Sequence, residues 1–292
     1  MSHHKRRPLV NIASPWACEP GVVRFQEPAE GLSPAQLQLL RDDALGQPYI
    51  LEHYNRRHLF FSLDCVQSSM YIDRPDDLIS PYTRKMMAFL LLNQNPHDIV
   101  MIGLGGGSLA KFCYRHLPMS RVTVVELDAR VIALREQFCI PEDDERFRIV
   151  HADGVQYLRS SQEPVDVVLV DAFDEVGIAR SLAESDFYAN AERLLREHGV
   201  LVMNFCGETA RYAPNIRGIR AAFNDRVLLV PVRLDGNLLI FASKTNFEQH
   251  LLPEADTTAE YLQRTLALEF RRFLACMRTG MTSRDPLVTE GH

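Results

Sequence analysis

The sequence of 292 residues has no long hydrophobic run. No apolar stretch approaches the roughly 20 residues that a bilayer-spanning helix needs, so no membrane partner is expected. It has no excess of positive charge either. Lys and Arg number 32 against 38 Asp and Glu, a formal net charge of −6, which excludes the basic stripe of a nucleic-acid binder. The six cysteines (Cys18, Cys65, Cys113, Cys139, Cys206, Cys276) contain no Cys-x-x-Cys pair. Their scatter argues for free thiols in a reducing cytoplasm and against a zinc site. The opening "MSHHKRRPLVNIASPW" carries basic residues but no apolar core, so no secretory signal is expected. Internal repeats and low-complexity tracts are absent from the sequence. What is present is 46% hydrophobic residues, enough for one large core with a smaller appendage.

The order of elements follows from periodicity. Residues 1 to 30 carry four prolines and no clear pattern, and read as an arm. In "SPAQLQLLRDDALG", Ser33 as N-cap, Pro34 at the first helical position and Gly46 past the end predict a short helix. "QPYILEHY", "RHLFFSL" and "VQSSMYI" predict a small antiparallel sheet, and "SPYTRKMMAFLLL" a helix. From Asp98 onward, apolar strands alternate with helices ("DIVMIGL", "SLAKFCYRHL", "RVTVVEL", "DARVIALREQF", "RFRIVHA", "GVQYLRSS", "VDVVLVDAF", "ESDFYANAERLLREH", "GVLVMNF"). Such alternation means βαβ units and a parallel sheet covered on both faces. "DRVLLVPVRL" and "NLLIFASK" are separated by only a few residues, too few for a parallel crossover, so the last strand returns antiparallel. "TTAEYLQRTLALEFRRFLACMRTG" reads as one outer helix, with a loose tail from Met281. The expected fold is α/β: a Rossmann-like, class I methyltransferase-type sheet with a small N-terminal antiparallel β-domain. The expected boundaries are 1–46 (arm and short helix), 47–79 (β-domain), 80–245 (Rossmann-like catalytic domain) and 246–292 (helical extension and tail).

One break in the pattern carries chemistry. In "VMIGLGGGSLAKF" a buried strand ends in Gly103, Gly105, Gly106 and Gly107 and turns at once into a helix. Glycines there let backbone approach a ligand, and the helix start offers N–H groups. Glu126 ends the second strand, where an acid accepts from ribose hydroxyls; Asp153 ends the third, where an acid can take an adenine amino proton. Asp128, beside Glu126, reads as a helix cap. Together these strand ends predict an adenosine site at the carboxyl edge of the sheet.

"LDCVQ" (63 to 67), Tyr82, "IGLGGGSL", "VVELD", "HADG" and "VDAFDEVG" occur in the order and spacing of the spermidine synthase family of aminopropyltransferases, which the sequence resembles over about residues 57 to 204. The resemblance implies an in-line displacement, in which an amine attacks a carbon on a sulfonium donor derived from S-adenosylmethionine and methylthioadenosine leaves. Such a reaction asks the protein for positioning and a proton acceptor, and needs no metal. The resemblance implies that Asp171, Asp174 and Tyr82 serve the amine, and that Gln67, Gly103, Gly105, Gly106, Gly107, Glu126, Asp153 and Gly154 hold the donor. It further implies a small-molecule amine as substrate and a homodimer.

The sequence also departs from the family. Gly106 stands where the family pattern GGGDGG has an aspartate for the donor's amine, and Thr83 and Arg84 replace the His-Glu that follows the family's tyrosine. A glycine-loop acid would pair with the ammonium of the decarboxylated donor and repel the carboxylate of intact S-adenosylmethionine. Its absence leaves the choice of donor open; Asp76 or Asp77 could replace the lost charge, and Arg84 would favour a carboxylate. Gly106→Asp is then expected to shift preference toward the decarboxylated donor. The alternatives are a methyltransferase using intact S-adenosylmethionine and a non-catalytic adenosyl-ligand-binding protein.

Overall fold

A computed structural model describes residues 9–17, 19–26, 33–44, 46–63, 65–174, 177–178, 185–207, 209–234 and 236–282. For residues 173, 174, 177, 178, 185, 209, 210 and 282 it describes the backbone alone. The strands are β1 (Leu9–Ala13), β2 (Val22–Gln26), β3 (Tyr49–His53), β4 (Arg56–Ser62), β5 (Cys65–Tyr71), β6 (Asp98–Ile102), β7 (Arg121–Glu126), β8 (Phe147–His151), β9 (Val165–Val170), β10 (Phe173–Asp174), β11 (Gly177–Ile178), β12 (Leu195–Cys206), β13 (Val227–Val232) and β14 (Asn237–Ser243). The α-helices are α1 (Pro34–Arg41), α2 (Pro81–Met86), α3 (Ser108–His116), α4 (Ala129–Ile132), α5 (Gly154–Ser160), α6 (Ser185–Leu194), α7 (Ala213–Ala222), α8 (Ala255–Leu266) and α9 (Phe270–Thr282). The chain forms two compact units. One comprises Met1–Ile79, Gly105–Phe112 and Asp128–Pro141; the other Ser80–Leu104, Cys113–Leu127 and Glu142–His292.

In the first unit, β1 to β5 form an antiparallel sheet in sequence order. Two of these strands lie in the segment read as an arm. In β2 only Val23 and Phe25 are buried, and in β1 Leu9, Val10 and Ile12 are half-buried while Asn11 and Ala13 are exposed, so five-residue strands between prolines leave almost no periodic signal. Val23, Phe25, Leu40, Tyr49, Leu51 and Phe60 form the core of this sheet, with Val10, Ile12 and Trp16 against it. Tyr49 stacks on Phe60 with ring centroids 5.6 Å apart, and the Trp16 indole N–H donates to the Arg41 carbonyl (3.2 Å), which ties α1 to the first hairpin. Ser33 caps α1 as expected, its Oγ accepting from Gln36 N; the helix stops at Arg41, before Gly46, because Asp43 adopts φ +53°. Beyond Asp128, whose carboxylate caps α4 through Arg130 N, the expected helix over "DARVIALREQF" is a single turn followed by irregular turns.

In the second unit a seven-stranded sheet has the order β13-β14-β12-β9-β6-β7-β8. Strands β8, β7, β6, β9 and β12 run parallel, and β14 lies antiparallel between β12 and β13. The antiparallel return expected from the short connection is therefore present. All six residues of β9 are buried, each apolar side chain contributing about 1.5–3 kcal/mol relative to exposure. Asp166 in that run is satisfied by the His97 and Asp98 N–H groups and by Arg196, without which a buried charge would be prohibitive. Register aligns the carboxyl ends of the central strands, with Ile102 opposite both Val125 and Val170, and Met203 opposite Val170. The expected single C-terminal helix is two, α8 and α9, because Ala267 turns the chain with φ +54°. Helix α7, for which the sequence carried no assignment, supplies Ile216 and Ile219 to the main core. Among the described residues, no helix is long and apolar enough to cross a membrane.

Candidate active site

The carboxyl edge of the large sheet gathers polar side chains at the ends of apolar strands. Asp171 follows β9, and its N–H donates to the Ile102 carbonyl (3.0 Å), extending the ladder by one residue and fixing where the carboxylate emerges. The Tyr82 hydroxyl from α2 donates to Asp171 Oδ2 (3.1 Å), and Asn204 Nδ2 from β12 donates to Oδ1 (3.0 Å). Asn204 Oδ1 in turn accepts from Asn237 Nδ2 at the start of β14 (2.8 Å). Burial raises the Asp171 carboxyl above the ordinary carboxylate range, and the two donors temper that rise. Asn204 and Asn237 were not anticipated. Each is a lone amide in an apolar strand and almost fully buried, which a core tolerates only when the amide is hydrogen-bonded.

The glycine turn begins in the same unit. Gly103 has φ +97°, and a Cβ there would lie 2.3 Å from the Asp171 carbonyl oxygen, so any side chain would push apart the ends of β6 and β9. Glu126 at the end of β7 accepts through Oε2 from Leu104 N (2.8 Å), so the acid expected at the ribose also holds the start of the turn. Asp153 is the N-cap of α5, its Oδ1 accepting from Gln156 N (2.9 Å). One oxygen of the expected adenine acceptor is thus engaged in capping. Gly154 packs its Cα face on Ile102.

Gly105, Gly106 and Gly107 belong to the first unit, as does Gln67 on β5, which is partly exposed. A Cβ at Gly106 would stand 2.6 Å from Ser68 Oγ and 2.9 Å from Phe138 Cδ1, so the space an aspartate would need is filled. The Gly106→Asp substitution expected from the sequence to tune the donor therefore meets a packed ring. One turn into α3, Lys111 is buried and donates to the Phe138 carbonyl (2.7 Å) and toward Met70 Sδ (3.3 Å). Burial lowers its amine to about 8.

Asp174 lies in β10, in a two-residue hairpin with β11, and its side chain is outside the described residues. Arg84 forms an ion pair with Glu269 (Nη2–Oε2 2.8 Å). Asp77 pairs with Arg74 (3.1 Å). Among the described residues no group of three or more His, Cys, Asp or Glu is arranged to hold a metal ion.

A mostly parallel sheet with β14 antiparallel between β12 and β13, and a glycine turn after β6, define the class I methyltransferase type of fold. The spermine/spermidine synthase domain matches residues 80–213. The polyamine aminopropyltransferase of Neisseria meningitidis serogroup A is 35% identical over 233 residues, covering 79% of this chain and 89% of that protein. Its counterpart from Chromobacterium violaceum is also 35% identical over 233 residues, with 80% and 89% covered. Spermidine synthase from Thermotoga maritima shares the fold, with a TM-score of 0.55 at 21% identity over 79% of this chain and 80% of that one. The chain belongs to the spermine/spermidine synthase family.

Proposed function

We propose that the chain moves the aminopropyl group of decarboxylated S-adenosylmethionine to a small amine. Membership of a family whose curated relatives are named polyamine aminopropyltransferase supports the reaction type. The observation that carries the reading is Asp171, a carboxylate held between Tyr82 and Asn204 at the end of β9. The amine nitrogen's lone pair forms a bond to the methylene beside the sulfonium, the carbon–sulfur bond breaks, and its electrons neutralise sulfur as methylthioadenosine departs. Before attack, the ammonium must lose a proton. Asp171 pairs with that ammonium and accepts the proton, and its raised affinity for protons suits the task. Tyr82 and Asn204 keep both carboxylate oxygens oriented. Asp174 holds a second nitrogen of the acceptor. Gln67, Gly103, Gly105, Gly106, Gly107, Glu126, Asp153 and Gly154 hold the donor, with Glu126 on the ribose. A cytoplasmic homodimer fits the family.

Gly106 favours a second reading, methyl transfer from intact S-adenosylmethionine, because no loop acid is present there to repel a donor carboxylate. Offering each donor with a panel of diamines separates the two. Methylthioadenosine formed from the decarboxylated donor supports aminopropyl transfer; S-adenosylhomocysteine formed from the intact donor supports the alternative.

A further inference from the structure

On the second unit, along the edge strand β13 of the large sheet, a cavity of about 550 Å³ lies between α2, α7 and α9. Among the described residues, Arg84, Lys85, Arg220, Arg233 and Arg272 line it, with Glu269 as the one carboxylate. The chain as a whole is acidic, at −6, so this concentration of positive charge runs against the background. It also repels polyammonium substrates and products, which sets the cavity apart from any amine subsite. Its walls are not polar throughout: Leu229 and Phe273 are buried beneath it, and Leu234 at its rim is 80% exposed.

Charge and shape together point to one ligand chemistry. Guanidinium groups offer paired N–H donors that match carboxylate and phosphate oxygens, and several around one cavity favour an anion of charge two or more. The apolar floor adds area for a body attached to that anion. Arg84 already holds a carboxylate here, that of Glu269, at 2.8 Å. We infer that the cavity beside β13 is a binding site for a polyvalent small anion, phosphate- or carboxylate-bearing, separate from the donor and amine sites.

The test is calorimetric titration at low salt with pyrophosphate, citrate and guanosine triphosphate, with methylthioadenosine at saturation to keep the nucleotide from an adenosyl site. Saturable binding of at least one probe is expected, weakened at least tenfold by raising the salt concentration and by Arg233→Glu combined with Arg272→Glu. Both residues are exposed, and thermal unfolding verifies that the variant folds. Pyrophosphate binding would assign the preference to phosphate charge, citrate binding to carboxylates, and binding of the nucleotide alone to the apolar floor. Absence of saturable binding by all three probes, or equal binding by the folded double variant, overturns the inference. Donor and amine turnover do not enter the readout, so failure here is distinct from failure of the aminopropyl reading.

Discussion

In the proposed reaction Asp171 takes the proton of the attacking amine, and its two hydrogen-bond donors make separable predictions. Asp171→Asn keeps the shape and an acceptor for Asn204 but cannot take a proton. Turnover should fall by about 10²–10⁴-fold while methylthioadenosine affinity holds; wild-type turnover in single-turnover assays would refute the role. Stability moves the other way. The folded pKa of Asp171 is raised, so the ionised form is disfavoured in the fold, and the stability linked to its proton, present below the unfolded pKa, is lost as pH rises through the folded value. At pH 7 the Asn variant should therefore melt no lower than the parent. The same shift sets the rate profile: kcat/KM should rise with pH along an acidic limb lying above the usual carboxylate range. Tyr82→Phe and Asn204→Ala each remove a hydrogen bond that favours the carboxylate, so each should move that limb to higher pH. A limb unmoved in both variants would mean that another group titrates.

At the scale of elements, the glycine turn divides into positions with different reasons for being glycine. Gly103 is required by its φ of +97° and by the Asp171 carbonyl behind it, whereas Gly106 is closed by Ser68 and Phe138. Gly106→Asp should consequently lower stability by about 1–3 kcal/mol through overpacking, read as a drop in the urea midpoint; an undiminished midpoint would show that Ser68 and Phe138 yield. Glu126→Ala should weaken methylthioadenosine binding at least tenfold, from loss of charged hydrogen bonds worth about 1.5–3 kcal/mol each. Glu126 also holds Leu104 N, so Glu126→Gln, which keeps an acceptor, should lose less. In α3, the lowered Lys111 pKa of about 8 means that the unfolded chain binds a proton which the fold does not between that value and the ordinary lysine value of 10.5. Stability should rise across that window by an amount on the order of 3 kcal/mol, and Lys111→Met should abolish the rise. The elements themselves were legible where a pattern ran long, as in β6, β7, β9 and β12. They were illegible where the outcome depended on one residue's backbone, as at Ala267 between α8 and α9, or on short half-buried strands, as in β1 and β2.

For the whole molecule, the antiparallel β14 was readable because chain length alone forbids a parallel crossover after β13. The acids at the strand ends were readable because apolar strands leave them conspicuous. Asn204 and Asn237 were passed over, since amides inside apolar runs draw notice only once their burial is known. Arg84 looked like a substrate ligand from its neighbour Tyr82, yet a helix points residues two apart in different directions, and it faces Glu269. Mass analysis of both products decides whether this family member transfers an aminopropyl group through Asp171. The purified protein is given an equimolar mixture of decarboxylated and intact S-adenosylmethionine with a diamine panel. Methylthioadenosine together with an acceptor extended by one aminopropyl unit is expected, both lost in Asp171→Asn. S-adenosylhomocysteine with a methylated acceptor, or aminopropyl transfer undiminished in Asp171→Asn, would contradict it.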